Sequence, residues 1–302
     1  MFSKIDLIIV FLHYNNIDDT LECITSFKEK LDTQSYKLII VDNKSPNKTG
    51  KELVDIFKND KYVDVVLSDS NKGYNGGLNV GIDYAKNHFI FKYLVISNND
   101  IELVDNAFYQ NIDKEYKKSG YAMLGPMIKT TDGRSDSNPI FDTWYSRTNA
   151  QYDLKYWKKR LFMTKLGIDG LYMFYRKHNP LLSRYKAKHY DKRKIRTPGI
   201  ENVRRENIVL HGCFQVLSPT FFEFFNRLDD RTFMYAEEDI MYAHMLDKNL
   251  KTVYNPEIVI VHKGGSSINH NYAKNRKKKL FLYSNYVKAI KAYLLLLDEL
   301  GV

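Results

Sequence analysis

The sequence has only two cysteines, Cys23 and Cys213, each in an apolar context and neither in a CxxC pair. That excludes a disulfide framework and fits a reducing compartment, with both thiols read as core residues. No stretch approaches the about 18 uninterrupted apolar residues of a membrane-spanning helix. The nearest, 289–297, is short and carries Lys291. The first residues, MFSKIDLIIVFLHYNN, have an apolar run at 7–12 too short for a span and lack the small-residue cleavage pattern of a signal peptide. They read as a buried first strand, and any membrane contact is expected to be peripheral. There is no internal repeat, no low-complexity tract and no GxGxxG after the first strand, so a dinucleotide fingerprint is not expected.

What is present suffices for a full-sized core: 302 residues, 44% hydrophobic and 27% charged. The net charge of +10 asks for an acidic partner such as a nucleic acid, an anionic lipid surface or a phosphorylated substrate. The basicity is regional: residues 151–205 hold sixteen Lys and Arg against four Asp and Glu, interleaved with aromatic side chains.

Up to about residue 130, apolar β-rich runs alternate with amphipathic stretches. The runs are IDLIIVFL (5–12), YKLIIVD (36–42), YVDVVL (62–67) and YLVIS (93–97); helical spacing covers 17–31, 49–58 and 76–87. This predicts βαβ units and a largely parallel sheet. A second globular stretch begins near 207, with a helix over 237–248, strands near 251–254 and 257–262, and a closing helical segment from about 271. The expected organisation is 1–130 as a nucleotide-binding type of half, 131–206 as a basic aromatic insertion, 207–268 as a second globular half, and 269–302 as a C-terminal helical segment.

Ligands of open α/β sheets bind beyond the carboxyl ends of the strands. Here those ends are polar: His13-Tyr14-Asn15-Asn16, Asp42-Asn43-Lys44-Ser45, the stretch NKGYNGGLNVGI (71–82), and Ser97-Asn98-Asn99-Asp100. Asp42 could accept the imide N–H of uracil or thymine, or serve an Asx-turn. Gly73 to Gly77 could let a phosphate approach a helix N-terminus, or form an ordinary turn. Asn98, Asn99 and Asp100 offer hard oxygen donors suited to Mg2+ or Mn2+. Glu237, Glu238 and Asp239 open a helix, where the macrodipole favours acids, and one of them could act as a general base. His262, at a strand end in VIVHKGGSS, could meet a metal or a phosphate.

In this order the segments IIVFLHYNN, VDNKS, NKGYNGGLNVGI, ISNND, GCFQVLSPTFF, YAEEDI and VHKGGSS resemble the family 2 glycosyltransferases, in particular rhamnosyltransferase-like and polysaccharide-assembling bacterial members. The resemblance spans roughly 5–130 and 207–267. It implies a GT-A-type Rossmann-like α/β domain, a UDP- or dTDP-sugar donor, a divalent metal (Mg2+ or Mn2+) and inversion by direct displacement onto a hydroxyl of a glycan acceptor, expected to be lipid-linked. On that resemblance Asp42 holds the base. His13, Asn15, Lys72, Gly73, Asn75, Asn79, Asn98 and Asn99 line the nucleotide pocket, and Asp100 and His262 hold the metal. Asp239 deprotonates the acceptor with Glu238 beside it, although three acids in a row leave the register open by one. The first position of the family's usual Asp-x-Asp is Asn98 here, a weaker ligand.

A sugar nucleotidyltransferase would need a Gly- and Arg-rich loop after the first strand, where HYNN stands. A nucleic-acid-binding protein would carry a recognition motif beside its charge, and none accompanies 151–205. The expected setting is the cytoplasmic face of a plasma membrane. The insertion at 140–205 and the segment from 275 are expected to hold the protein on anionic lipid; alternatively the C-terminal helix packs its Leu294–Leu297 face on the catalytic domain, and the insertion covers the acceptor site or mediates a homodimer.

Overall fold

The computed structural model describes residues 3–135, 138–141, 144–179, 200–264 and 276–302. The chain opens as β1 (Ser3–His13), α1 (Ile17–Lys30), β2 (Tyr36–Asp42), α2 (Thr49–Phe57), β3 (Val63–Leu67), α3 (Gly73–His88) and β4 (Phe89–Asn98). In β1, Leu7, Ile9 and Phe11 face one layer of the core while Ile8 and Val10 face the other. A strand apolar on both faces belongs in the middle of a helix-covered parallel sheet. Asn16 caps α1, its side chain accepting from the Asp19 backbone N–H.

The chain continues through β5 (Ile101–Leu103), α4 (Phe108–Ser119), β6 (Met123–Thr130), α5 (Arg147–Lys165), α6 (Asp169–His178), β7 (Arg205–Glu206), β8 (Phe214–Leu217), α7 (Pro219–Phe224), α8 (Glu237–Asp247), β9 (Thr252–His262) and α9 (Arg276–Leu300). The described strands form one sheet in the order β3-β2-β1-β4-β8-β6-β9-β5, with β7 also paired to β9. The longer pairings, β1 with β2 and β4, β2 with β3, and β6 with β9, are parallel. The short ones, β4–β8, β6–β8, β5–β9 and β7–β9, are antiparallel. The α/β class with a mostly parallel sheet is as expected.

Two boundaries differ from the sequence reading. The two strands expected near 251–254 and 257–262 are one strand, β9, whose register against β6 shifts at Pro126/Met127. Helix α3 begins at Gly73 rather than 76, because the Asn43 side chain accepts the Lys72 N–H and donates to the Gly73 carbonyl. The last helix is described from Arg276, and its expected start near 271 falls with residues 180–199 and 265–275, including the end of VHKGGSS, outside the described residues.

Among the described residues α9 alone is long and apolar enough to cross a membrane by length and composition. Its apolar face is already used. Tyr293, Leu296 and Leu297 are buried with Tyr145, Ala150, Ile240 and Ala243, so the leucine run expected at a membrane packs largely onto α5 and α8. Leu295 alone of residues 295–297 stands exposed.

Candidate active site

The carboxyl ends of β1, β2 and β4 lie side by side, with His13 in register with Asp42 and Leu12 with Asn98. His13 is fully buried. Its Nδ1 lies 2.7 Å from Thr20 Oγ1 and its Nε2 2.8 Å from Thr49 Oγ1. Thr20 donates its own proton to the Asn16 carbonyl, so it accepts from His13 Nδ1–H. Burial holds the imidazole pKa below its usual value, against the opposing pull of Asp42. His13 therefore pins α1 and α2 beneath the crevice rather than lining it. Asn15 adopts φ 68°. Its N–H donates to Ser45 Oγ at 2.9 Å, and its buried Oδ1 has no hydrogen-bond partner.

Asp42, 7% exposed, accepts the Ser45 N–H at 3.1 Å. The Asx-turn is thus present. The carboxylate also rests on the first turn of α2, where a Cβ at Gly50 would stand 2.2 Å from Oδ2. Lys72 is exposed and its Nζ lies 3.2 Å from Asp69 Oδ1.

The glycines of α3, with Asn75 and Asn79, are buried against protein. Gly73, at φ +77°, would place a Cβ 2.1 Å from the Phe233 carbonyl oxygen, and the Tyr74 N–H donates to that same oxygen at 2.9 Å. Asn75 donates to the Asp229 carbonyl at 2.8 Å. Asn79 closes a two-way pair with Leu228, donating to its carbonyl at 3.0 Å and accepting its N–H at 2.9 Å. One turn apart on one helix face, these two amides bind the 228–233 segment across the start of α3. Gly77 and Gly81 let the helix lie close on Leu12 and Val10. The phosphate cradle expected at Gly73 to Gly77 is occupied by the protein's own backbone.

The 228–236 segment delivers α8. Tyr235 and Ala236 both have positive φ, 74° and 65°. Two consecutive left-handed non-glycine residues carry strain of about 1–3 kcal/mol each, which the surrounding packing must offset. They aim the acids. Glu238 Oε1 accepts the Gly212 N–H at 3.2 Å, and the Gly212 carbonyl lies 2.7 Å from the Tyr74 hydroxyl. That hydroxyl also lies 2.9 Å from Asn98 Oδ1. One O–H has one proton, so with Gly212 O as its acceptor the Asn98 amide must present its NH2 to the phenol oxygen.

Burial first, and then Cys213 and the acids Glu238, Glu237 and Asp100, push the Tyr74 phenol well above its usual range; burial, then Asp100 and Glu238, do the same to the Cys213 thiol. Glu237, 8% exposed, is pushed up to about 8 by burial, then by Glu238, so it holds its proton at neutral pH. Successive helical residues point about 100° apart, so Glu238 and Asp239 do not share one direction. Glu238 is the acid at Gly212; Asp239 is half-buried on the next bearing.

At the end of β4, Asn99 donates to Thr20 Oγ1 at 2.8 Å, tying the turn to α1. Asp100 is 5% exposed, and its Oδ1 lies 3.1 Å from His262 Nε2 without hydrogen-bond alignment. A buried carboxylate oxygen with no hydrogen bond is costly unless something else meets it. The pairing follows from register, since Ile101 sits opposite His262 in the β5–β9 ladder. No group of three or more His, Cys, Asp or Glu side chains converges among the described residues. One carboxylate and one imidazole suit a cation that keeps waters and substrate phosphates for its other positions. The residues present therefore fit Mg2+ or Mn2+.

Sequence reasoning missed the parts played by Tyr74, Gly212 and His211, and took Glu237 as one of three acids without its burial. Tyr74 stood inside a glycine-rich stretch that drew attention to the glycines. His211, whose ring centroid is 6.3 Å from that of His262, is fixed by its N–H to Asn138 Oδ1 and by the Cys213 N–H to its Nδ1. Its only signal was its place after an apolar run in VLHGC.

A mostly parallel α/β sheet with carboxylates gathered beyond its central strands is the layout of a GT-A-type fold. Residues 8–228 match the model of the glycosyl transferase family 2, and the chain belongs to that family. No curated protein matches it in sequence. Among solved structures it is similar to GalNAc-T7 with UDP, GalNAc and Mn2+, at TM-score 0.57 and 14% identity over 86% of this chain and 44% of that one. It is also similar to S. aureus TarS 1–349 at TM-score 0.52 and 11% identity, covering 86% of this chain and 60% of that one. The same TarS fragment in complex with UDP gives TM-score 0.52 and 11% identity over 92% and 65% of the two chains. At such identities the likeness is one of fold, and this chain spans less than two thirds of each neighbour.

Proposed function

We propose that the protein is an inverting glycosyltransferase that moves a hexosyl or rhamnosyl group from a UDP- or dTDP-sugar to a hydroxyl of a glycan acceptor. The acceptor is lipid-linked and the pathway assembles a bacterial surface polysaccharide at the cytoplasmic side of the membrane. The observation that carries the reading is Glu238, held by the Gly212 N–H beside Tyr74 and Asn98 at the carboxyl end of β4.

Glu238 is the base in this reading, in place of Asp239. Its carboxylate takes the acceptor proton as the acceptor oxygen bonds to the anomeric carbon, and the bond to the nucleoside diphosphate breaks with its electron pair on the phosphate oxygen. Neutral Glu237 behind it spares the pocket a second buried charge. Asp100 and His262 hold Mg2+ or Mn2+, which supplies charge neutralisation for the diphosphate. Asp42 accepts the imide N–H of uracil or thymine with the lone pairs that Ser45 leaves over. The UDP bound in the GalNAc-T7 and TarS structures supports a pyrimidine donor.

The experiment is a panel of UDP-, dTDP-, GDP- and ADP-sugars with Mn2+, read as release of nucleoside diphosphate and as transfer to glycan acceptors. Turnover confined to a pyrimidine sugar supports the reading. Release from none, or only from purine donors, rejects it.

A further inference from the structure

Helix α6 is packed inside out. Towards α5 and α9 it turns its polar and aromatic side: Asp169 is bound by the buried Arg160 guanidinium, whose Nη2 lies 2.9 Å from Asp169 Oδ2, and by Lys279 at 3.2 Å. Arg176 lies over the Tyr156 ring at 4.4 Å and Lys159 over Tyr172 at 4.8 Å. These contacts fix the helix's rotation. Its outer side is consequently Leu171, Phe174 and Tyr175, which are 68%, 63% and 59% exposed. An ordinary surface helix has the opposite arrangement.

The neighbouring turn extends the same surface, with Phe162 57%, Leu166 56% and Ile168 42% exposed. Six of the large apolar side chains exposed in the described residues fall within 162–175, and Leu171 and Phe174 are the most exposed of all. Single exposed apolar residues need no explanation, but a contiguous group marks an interaction site. The charge around the group is of one sign. On α5 the exposed charged positions preceding Phe162 are Lys155, Lys158 and Lys159, Lys165 follows it, and Lys177 borders the patch on α6. No acidic residue is exposed between 151 and 179.

We propose that this α5–α6 tip is a peripheral docking surface for an anionic lipid bilayer. Leu171, Phe174, Phe162 and Leu166 enter the headgroup boundary, Tyr175 sits at its level, and the surrounding lysines meet lipid phosphates. The contact is made by a rigid helical pair, and α9, the helix that composition favours for a membrane, serves instead as its support. The inference stands whichever sugar or acceptor the catalytic crevice takes.

The test is co-sedimentation of the full chain with phosphatidylcholine vesicles with and without phosphatidylglycerol, alongside donor hydrolysis in solution. The parent is expected to be captured by anionic vesicles, and released as salt rises from about 0.05 to 0.5 M and the Debye length contracts. Leu171→Glu with Phe174→Glu is expected to lower the captured fraction about tenfold or more while leaving donor hydrolysis and melting temperature unchanged. Lys158→Glu with Lys177→Glu should weaken capture and flatten its salt dependence without touching the apolar group. Three outcomes overturn the proposal: no capture of the parent at low salt, equal capture of parent and both variants, or equal capture by neutral vesicles. A parent dimer that Leu171→Glu with Phe174→Glu converts to monomer, with no vesicle capture, assigns the patch to a second copy and also overturns it.

Discussion

Glu238 Oε1 accepts a hydrogen bond from the Gly212 backbone N–H at 3.2 Å, and a Cβ at Gly212 would stand 2.9 Å from that same oxygen. Position 212 therefore aims the carboxylate, and a side chain there would push that carboxylate aside. Glu238→Gln is expected to lower turnover on the order of 10²–10⁴-fold with donor affinity nearly unchanged, the usual worth of a positioned base. Asp239→Asn, one helical step away, should cost far less. Parallel kinetics of the two variants decide the register; the reverse ranking restores Asp239 as the base.

Asp100 and His262 meet across the β5–β9 ladder with a carboxylate oxygen that no hydrogen bond satisfies. Asp100→Asn should leave the melting temperature of the metal-free protein nearly level, because a buried carboxylate oxygen that no hydrogen bond satisfies gives way to a neutral amide of the same shape. The same variant should lose the rise in melting temperature that UDP with Mn2+ gives the parent, since ligand stabilisation follows affinity by mass action. A parent stabilised equally by UDP in excess chelator would show that metal plays no part in donor binding.

Asn79 holds both backbone groups of Leu228. Asn79→Ala leaves a buried N–H and a buried C=O unpaired, a loss of about 2–4 kcal/mol, which denaturant unfolding would register. Gly73→Ala combines a left-handed backbone with a clash against Phe233 and should be at least as damaging. Both are expected to act on stability before nucleotide affinity. A variant with parental stability and a weakened KM for donor would return Asn79 to the nucleotide pocket.

The sheet was legible because its signals are local. Runs such as LIIVF in β1, buried on both faces, belong to central strands of a helix-covered sheet. The site was only half legible. The order of polar strand ends located it, yet Gly73 to Gly77 read as a phosphate approach and Asn75 and Asn79 as nucleotide-pocket residues, because their partners here, Leu228 to Phe233, lie far along the chain. Three acids at a helix start all satisfy the macrodipole, so only the turn made by Tyr235 and Ala236 shows which one reaches Gly212. The α5–α6 pair was opaque for a related reason: its apolar side faces outward, and periodicity alone assigns such a side to the core.

Glu237 is pushed up to about 8, by burial first and Glu238 second. In the unfolded chain a glutamate titrates near 4.3, so between about 4.3 and 8 the folded state holds a proton that the unfolded state has released. Stability therefore falls as pH rises through that window and levels off above it. Glu237→Gln removes the dependence, and its melting temperature relative to the parent should rise between pH 5 and pH 8.5 by several degrees, at about 2–4 °C per kcal/mol. A difference that does not change with pH would mean that Glu237 is ionised in the fold.

Asp42 sets the last expectation, a preference for pyrimidine donors. Its carboxylate is placed twice over, by the Ser45 N–H on Oδ1 at 3.1 Å and by the close approach of Gly50 to Oδ2. An ionised carboxylate only accepts, so it favours a base edge that presents a proton. Uracil and thymine present the imide N–H there; the matching ring nitrogen of adenine is itself an acceptor and would leave two lone pairs opposed. Calorimetry should therefore rank UDP and dTDP above ADP by about tenfold or more, the scale of one charge-assisted hydrogen bond worth about 1.5–3 kcal/mol. Asp42→Ala should collapse that ranking mainly by weakening UDP. Gly50→Ala, whose added methyl displaces the carboxylate without removing it, should do the same to a lesser degree, and this separates placement from charge. Equal affinity of the parent for UDP and ADP would remove Asp42 from base recognition and leave it the Asx-turn alone.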